Sequence, residues 1–272
     1  MADGQRRRAG VLGSPIEHSK SPALHRAAYA SLGLDWEYDR YEVDEGQLPG
    51  FMAAMDDSWA GLSLTMPLKE AVLPLLASVS DLGARLRSVN TVLPGSAPGT
   101  WHGENTDVQG IVTSVLQAHA GEPFDGGSAV ILGGGATARS ACAALPVLGI
   151  TSVTVCARRP EAAQEVADLA AQFGRATSTA SLEPAARLVS ASLVISTLPG
   201  DAAAPWAELA GDGTGVLLDA SYHPWPTPLA SAWAGTGVAS GRDMLLWQAV
   251  EQVRLMTGRE PDAERMRAAL AD

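Results

Sequence analysis

A buried strand that runs into a glycine turn and then a helix is the feature that most constrains the fold of this chain. Residues 129–139 have the sequence Ala-Val-Ile-Leu-Gly-Gly-Gly-Ala-Thr-Ala-Arg, in which a continuous apolar run precedes the glycines. Such a run is typical of a strand that is buried on both faces. A glycine turn lets backbone N–H groups approach a pyrophosphate at the N-terminus of the following helix. The segment therefore predicts the first strand–turn–helix of a dinucleotide-binding unit.

The end of the next strand predicts which dinucleotide is bound. Residues 152–156 are β-branched and short, and Arg158 and Arg159 follow them. From Gly133 to Arg158 is 25 positions (158 minus 133), close to the roughly 20 expected for such a unit. An acid here would accept from the 2′-hydroxyl of NAD, whereas a cation suits the 2′-phosphate of NADP. We therefore expect an NADP(H) site.

Three other interpretations of the glycine turn are weaker. A turn that binds no ligand is the simplest alternative, and it leaves the strand–helix context without a role. A methyltransferase loop would favour an acid at position 158. A P-loop needs Gly-Lys-Ser/Thr, which the sequence lacks.

Composition limits the class of protein and its partners. With 272 residues, 46% apolar and 18% charged, the chain is globular and long enough for one large domain or two smaller ones. A formal net charge of −11 without a basic stripe argues against nucleic acid. No run of 18 apolar residues occurs, so we expect no membrane span and a cytoplasmic protein. A monomer and a homodimer both stay open.

Cysteine and histidine usage predicts no metal. Cys142 falls in the helix of the predicted dinucleotide unit and Cys156 in its second strand, where small buried side chains are expected. The five histidines have neither HExxH nor Cys/His spacing.

Strands and helices alternate in both halves of the sequence, which predicts an α/β protein with largely parallel sheets. The predicted strands are 10–13, 36–43, 62–65, 89–93, 100–102, 129–132, 152–156, 193–196 and 216–219. The predicted helices are 21–32, 48–55, 69–76, 81–86, 107–120, 137–148, 243–256 and 261–271.

Polar residues collect at strand ends and loops before the dinucleotide unit. In open α/β sheets, ligands bind beyond the carboxyl ends of the strands, where such loops lie. Taken singly, each stretch has a structural explanation. Ser19 and Ser21 could be helix caps, with Ser21 capping the helix that it opens, Asn90 could be a turn residue, Asp107 an N-cap and Lys69 an exposed cation. The stretches are His18-Ser-Lys-Ser-Pro22, Thr65-Met-Pro-Leu-Lys69, Ser88-Val-Asn-Thr91 and Gly103-Glu-Asn-Thr-Asp107.

Together with two later segments, three of these stretches, all but Ser88–Thr91, give five motifs in the order found in a known family. They are Gly-Ser-Pro-Ile-Glu-His-Ser-Lys-Ser-Pro-Ala-Leu-His at 13–25, Thr-Met-Pro-Leu-Lys at 65–69, Asn-Thr-Asp at 105–107, Asp-Ala-Ser-Tyr-His-Pro-Trp-Pro-Thr-Pro-Leu at 219–229 and Gly-Arg-Asp-Met-Leu-Leu-Trp-Gln-Ala at 241–249. Over almost its whole length the chain resembles the shikimate dehydrogenase family.

The resemblance implies a reaction and a two-domain architecture. The reaction is reversible, NADPH-dependent reduction of 3-dehydroshikimate to shikimate, a step towards chorismate and the aromatic amino acids. The implied fold is an α/β substrate-binding domain, residues 1–107 with returning C-terminal helices 238–272, plus a Rossmann-type doubly wound NADP-binding domain at 108–237. The active cleft would lie between them.

The resemblance also assigns roles to residues. Lys69 would be the proton donor or acceptor, or mainly an electrostatic positioner, and Asp107 would be its orienting partner. The implied substrate-binding residues are Ser19, Ser21, Thr65, Asn90, Asn105, Tyr222 and Gln248. The implied cofactor-binding residues are Gly133, Gly135, Ala136, Arg139, Arg158, Thr197 and Met244, although Met244 could equally be a core residue.

The chain departs from the family pattern at a few positions, and two other functions stay open. Ser63 stands where the family commonly has Asn, Arg26 replaces Asn, and Ala157-Arg158-Arg159 replaces Asn-Arg-Thr. One rival is a quinate/shikimate dehydrogenase of broader specificity. The other is a non-catalytic NADP(H)-binding regulator, against which the retention of Lys69 and Asp107 argues.

Overall fold

The computed structural model describes residues 7–185 and 189–270 and has the α/β architecture that the sequence predicts. The chain divides into two compact units. Unit 1 comprises Met1–Thr106 and Gln248–Asp272, and unit 2 comprises Asp107–Trp247. None of the helices among the described residues is long and apolar enough to cross a membrane.

Six strands form the sheet of unit 1 within the described residues. They are β1 (Arg8–Gly13), β2 (Glu37–Glu42), β3 (Trp59–Leu64), β4 (Ser78–Val79), β5 (Thr91–Pro94) and β6 (Trp101–Glu104). Their order is β2-β1-β3-β5-β6-β4. The pairs β1–β2 and β1–β3 are parallel, whereas β5 is antiparallel to both β3 and β6. The carboxyl ends of β1 and β3 therefore lie at one edge, where the segment that enters β5 also lies.

Short helices connect these strands. They are α1 (Ser21–Ser31), α2 (Leu48–Ala53), α3 (Leu68–Ala71), a 3₁₀ turn (Leu73–Leu75) and α4 (Asp81–Leu86). One helix was predicted over 69–76, but Pro74 removes a backbone N–H there, so the α-helix stops and a 3₁₀ turn follows.

The sheet of unit 2 is entirely parallel. Its strands are β7 (Ser128–Leu132), β8 (Ser152–Ala157), β9 (Ala176–Ser181), β10 (Leu193–Ser196), β11 (Val216–Asp219) and β12 (Gly237–Ser240). Their order is β12-β11-β10-β7-β8-β9. Numbered within the unit, this is the 3-2-1-4-5-6 order of doubly wound dinucleotide-binding folds. The strand order reverses between β7 and β10, so their carboxyl ends flank the crevice at which such folds bind ligands.

Helices follow the strands of unit 2 and continue to the end of the described chain. They are α5 (Asp107–Ala118), α6 (Ala136–Ala144), α7 (Pro160–Gln172), a 3₁₀ segment (Gly200–Asp212), α8 (Pro228–Ala232), α9 (Gly241–Thr257) and α10 (Ala263–Ala268). Residue 271, the predicted end of the last helix, lies outside the described residues.

Successive residues of β7 enter two different apolar clusters. Ala129 and Ile131 belong to one cluster, and Val130 and Leu132 belong to the other. Since side chains alternate across a strand, both faces of the sheet are covered, which explains the continuous apolar run at 129–132.

The residue at which unit 1 resumes and the N-cap residue of α1 differ from the sequence prediction. Unit 1 was expected to resume at residue 238, but β12 pairs with β11, and the division falls at Trp247 and Gln248 inside α9. Ser21 was expected to cap α1, yet it lies in the first turn, because Lys20 occupies the N-cap position.

Candidate active site

Two serine hydroxyls of unit 1 lie at the start of α1. Ser19 is 8% exposed and Ser21 is 4% exposed. The loop is fixed by backbone groups: Arg40 Nε donates to the carbonyl of Ser19 at 2.8 Å, and the Ser21 N–H donates to Ser19 Oγ at 3.4 Å. A hydroxyl can donate to an anion, and the N-terminus of a helix favours negative charge nearby.

Thr65 and Lys69 follow β3 directly. The Thr65 N–H donates to the Leu12 carbonyl at 2.9 Å, which ties the end of β3 to β1. Lys69 is half-buried in α3, and its carbonyl accepts from the Val89 N–H at 2.8 Å. The intervening Met66–Pro67 peptide bond is cis. These contacts hold Lys69 within one turn of the strand end.

Asn90 and Gln248 are brought into contact although 158 positions separate them. Asn90 is 1% exposed, and its Oδ1 accepts from the Thr106 N–H at 2.8 Å. Its Nδ2 donates to Gln248 Oε1 at 3.2 Å and to Thr106 Oγ1 at 3.0 Å. Because a backbone N–H is always a donor, it fixes which end of the Asn90 amide is oxygen. Asn105 lies one residue before Thr106, with its Nδ2 donating to the Ser88 carbonyl at 2.8 Å.

Unit 1 thus gathers most of the expected substrate residues at one edge of its sheet. Thr65 follows β3, and Asn90 enters β5, where its carbonyl accepts from the Leu64 N–H at 2.8 Å. Asn105 follows β6, whose Glu104 carbonyl accepts from the Asn90 N–H at 3.1 Å. Two expected residues, Asp107 and Tyr222, belong instead to unit 2.

His25 is the last residue of the motif at 13–25 and has no assigned role. It is fully buried and contacts Ser21. Its Nδ1 lies 2.9 Å from the Ser21 carbonyl, and its ring stacks on Tyr38 with centroids 3.9 Å apart. A carbonyl only accepts, so Nδ1 carries the proton, and Nε2 has no hydrogen-bond partner among the described residues. Burial lowers the pKa of His25 from 6.5 to about 4, although its bond to Ser21 opposes the shift. Native His25 is therefore neutral near pH 7.

We expect acid to destabilise the protein through His25. Between pH 6.5 and about 4 the unfolded chain binds a proton that the folded chain does not, so stability is complete above pH 6.5 and falls as pH decreases. The free energy of unfolding from urea titrations should fall by about 2 kcal/mol from pH 7 to pH 5 through this group.

His25→Phe keeps a ring on Tyr38 but does not titrate, so its stability should depend less on pH over this interval. His119→Phe is the matched control, because His119 also stacks on a ring, that of Phe124, and contacts a carbonyl, that of Glu122. Equal pH slopes for His25→Phe and the unsubstituted protein would contradict the assignment.

The glycine turn of unit 2 is built for close approach. Gly133 has φ +122°, and a Cβ there would lie 2.1 Å from Thr197 Oγ1, so a side chain is excluded on two grounds. At Gly134 a Cβ would lie 2.8 Å from the Cβ of Ala162. At Gly135, the N-cap of α6, a Cβ would meet nothing within 4 Å, so open space lies above the helix N-terminus. Ala136 begins α6, and Arg139 is half-buried on its first turn.

Arg158 is exposed and follows β8. It lines a hollow of about 600 Å³ beyond the carboxyl ends of β8 and β9, together with Thr179 and Ser181 of β9. These two hydroxyls were not predicted as site residues because β9 itself was not predicted. Glu183 also lines this hollow, so the groups there that suit a phosphate are the Arg158 guanidinium and the two hydroxyls, beside one acid.

The remaining expected residues of unit 2 have mixed surroundings. Thr197 follows β10, and its Oγ1 donates to the Leu132 carbonyl at 3.0 Å. Met244 is 7% exposed and belongs to an apolar core cluster of the sheet. Asp107, 3% exposed, is the first residue of α5, and Tyr222 is half-buried beyond β11.

Asp219 fixes the loop that carries Tyr222. One carboxylate oxygen accepts from the Ser221 N–H at 3.1 Å, and the other accepts from the Thr227 hydroxyl at 2.7 Å. Burial raises the pKa of Asp219, and these bonds oppose that shift. The motif acid and threonine at 219 and 227 therefore act on the loop conformation. In the described part of the chain, no group of three or more His, Cys, Asp or Glu could hold a metal ion.

Two family models match the chain. Residues 11–92 match the shikimate dehydrogenase substrate binding domain, and residues 241–271 match the shikimate 5′-dehydrogenase C-terminal domain. The shikimate dehydrogenase (NADP(+)) of Methanothermobacter thermautotrophicus is 34% identical over 99% of this chain and 98% of its own length. The chain also matches the pentafunctional AROM polypeptide of Yarrowia lipolytica at 32% identity over 91% of its length, but spans only 16% of that protein.

Solved structures give the same correspondence. The crystal structure of Mycobacterium tuberculosis shikimate dehydrogenase is 40% identical with a TM-score of 0.87, covering 97% of this chain and 98% of that one. Shikimate 5-dehydrogenase from Thermus thermophilus, solved in complex with NADP(H) and shikimate, is 33% identical with a TM-score of 0.83, covering 97% of this chain and 98% of that one.

Proposed function

This chain belongs to the shikimate dehydrogenase family, and we propose that it catalyses the reversible NADP-dependent oxidation of shikimate to 3-dehydroshikimate. The observation that carries the proposal is the edge of the unit 1 sheet, where hydroxyls, oriented amides and one amine lie together. The family implies a place in chorismate and aromatic amino acid biosynthesis. A cytoplasmic location, and the choice between monomer and homodimer, stay predictions from the sequence.

The side chains at this edge suit a ring that bears one carboxylate and several hydroxyls. Ser19 and Ser21 donate to the carboxylate without a buried cation. Amides both donate and accept, which matches hydroxyl groups, and we assign this role to Asn90, Asn105 and Gln248. Thr65 contributes a further hydroxyl at this edge, and we assign Tyr222 of unit 2 to the substrate on the family resemblance alone. Since the net charge is −11, attraction of an anion depends on these local donors and on Lys69.

Unit 2 fits a dinucleotide. The open space above Gly135 leaves room for a pyrophosphate at the N-terminus of α6, where backbone N–H groups and the helix dipole favour an anion. We assign Gly133, Gly135 and Ala136 to that contact, with Arg139 beside it. Arg158 would bind the 2′-phosphate. Thr197 ends β10 at the strand-order reversal, where we assign it to the nicotinamide half.

Two ionisable side chains carry the proton chemistry. When bound, NADP(H) supplies or accepts the hydride. Reduction of a ketone develops negative charge on its oxygen, which needs a positioned proton donor or cation. We assign Lys69 Nζ as the group that gives this proton and takes it back in the reverse direction. Asp107 is its partner, because a carboxylate stabilises the charged form of an amine.

The decisive experiment is to mix the pure protein with shikimate and NADP⁺ and to follow nicotinamide absorbance. We expect turnover with shikimate and NADP⁺, and much less with NAD⁺ or quinate. Turnover that favours quinate would support the broader quinate/shikimate dehydrogenase. Measurable NADPH binding without turnover would overturn the proposal and favour a regulator.

A further inference from the structure

A buried chain of hydrogen bonds lies directly beneath Asn90. Gln252 of α9 is 0% exposed, and its Nε2 donates to the Asn90 carbonyl at 3.1 Å and to Thr91 Oγ1 at 3.0 Å. At its other end, Gln252 Oε1 accepts from Ser63 Oγ at 2.8 Å. Ser63 Oγ in turn accepts from the Tyr38 hydroxyl at 2.6 Å. Four side chains from three strands and one helix thus form one connected network.

The direction of each bond in this network is determined. The Asn90 carbonyl can only accept, so the end of Gln252 that faces it is the nitrogen. Gln252 Oε1 therefore faces Ser63, whose proton points towards it. Thr91 Oγ1 accepts from Gln252 Nε2, so its own proton points away from Gln252. The nearer acceptor is Asn90 Oδ1 at 3.0 Å, and Thr106 Oγ1 lies at 3.3 Å.

The network therefore holds Asn90 at two points, its backbone carbonyl and, through the Thr91 hydroxyl, its Oδ1, while the Thr106 N–H fixes which end of the amide is oxygen. With Oδ1 held by the Thr91 hydroxyl and the Thr106 N–H, Nδ2 must face Gln248 Oε1. A rotation of the Asn90 amide by 180° would place its NH₂ against the Thr106 N–H, donor against donor. One arrangement of the Asn90–Gln248 pair is thus favoured over its reverse.

We propose that Gln252 and Ser63 form a positioning pair that holds Asn90 in place and, through it, orients the Gln248 amide for substrate hydroxyls. The inference rests on the proposed function, since it assumes that Asn90 and Gln248 bind substrate. Ser63 stands where the family pattern commonly has Asn. In this chain the shorter hydroxyl of Ser63 donates to the Gln252 amide, which α9 supplies.

Tyr38, at the end of the network away from Asn90, keeps its hydroxyl proton near neutral pH. Burial raises the pKa of Tyr38 above its ordinary value of 10, although hydrogen bonds with Ser63 and Ser21 oppose the shift. Tyr38 therefore stays a proton donor to Ser63. Its neighbour His25, stacked on the Tyr38 ring, stays neutral and brings no charge to the network.

Gln252→Met tests the positioning role, because Met keeps the length of the side chain but cannot orient Thr91 or Ser63. We expect the KM for shikimate to rise about tenfold, with a smaller change in kcat and a KM for NADP⁺ within about twofold. Thr257→Val is the matched control: it removes a bond of 2.7 Å to the Val253 carbonyl from the same helix, away from Asn90. This control should leave the KM for shikimate unchanged.

Exchange of the two partners tests the pair more directly. The double variant Ser63→Asn with Gln252→Ser places the amide side chain on β3 and the hydroxyl on α9. It should have a KM for shikimate at least about threefold lower than that of Gln252→Met. Ser63→Ala removes both the donor to Gln252 Oε1 and the acceptor of the Tyr38 hydroxyl. It should raise that KM about threefold and serves where Gln252→Met does not fold.

Three results would overturn the positioning role. They are a shikimate KM for Gln252→Met within about twofold of the unsubstituted protein, a parallel rise in the KM for NADP⁺, and an exchange variant no better than the single variant. Failure of the proposed function is distinguishable, because the unsubstituted protein would then not oxidise shikimate at all.

Discussion

Lys69→Ala should lower kcat for shikimate oxidation by about 10²–10⁴ while leaving the Kd for NADPH nearly unchanged. The loss of kcat is expected because alanine neither moves a proton nor stabilises charge on the carbonyl oxygen. NADPH affinity should persist, because the glycine turn and Arg158 that we assign to the cofactor belong to unit 2, whereas Lys69 belongs to unit 1. Initial rates from nicotinamide absorbance and a fluorescence titration with NADPH measure the two quantities.

Two companion variants sharpen this test. Arg85→Ala removes an exposed cation from the same unit and should change neither quantity. Lys69→Arg keeps the positive charge but does not release a proton near neutral pH, so it should lose at least about 10² in kcat if Lys69 transfers the proton. Near-normal activity of Lys69→Arg would make Lys69 an electrostatic positioner. An equal loss of NADPH binding in Lys69→Ala would contradict its assignment to the substrate.

Strands that are buried on both faces were predictable, because a continuous apolar run indicates such a strand without knowledge of the strands that pair with it. Leu193–Ser196 and Val216–Asp219 have the predicted bounds. The strand Ala176–Ser181 was not predicted, since Ala-Thr-Ser-Thr-Ala-Ser has no aliphatic run and lies at the sheet edge with mostly exposed residues. Only its pairing with β8 makes it a strand, and that pairing is a tertiary effect.

The contacts of the site that were not predicted are also tertiary effects. Motifs predicted the residue types, but they could not predict the bond between Ser63 and Gln252 beneath Asn90, because these two residues are 189 positions apart. The predicted capping role of Ser21 was wrong because the backbone conformation assigns the N-cap to Lys20. The hydrophobic pattern of a single sequence predicts that a helix is present, but it does not determine which residue is its N-cap.

Arg158→Asp should weaken NADP⁺ binding far more than NAD⁺ binding. A 2′-phosphate carries negative charge, so an aspartate in place of the guanidinium removes a charge-assisted hydrogen bond and adds repulsion. The same aspartate can accept from the 2′-hydroxyl of NAD. We expect the KM for NADP⁺ to rise about 10²-fold, equivalent to about 2.7 kcal/mol, while the KM for NAD⁺ changes by less than about threefold.

Arg159→Asp is the control that isolates position 158. Arg159 is the neighbouring exposed arginine, so the substitution makes the same change in net charge one position further along. Of the two arginines, Arg158 lines the hollow beside Thr179 and Ser181 and Arg159 does not. If the cofactor responded only to the long-range electrostatic field, Arg158→Asp and Arg159→Asp would have equal effects. We therefore expect Arg159→Asp to raise the KM for NADP⁺ by less than about tenfold. Unchanged selectivity in Arg158→Asp, or equal effects of the two substitutions, would refute the specific contact and leave only a general electrostatic attraction.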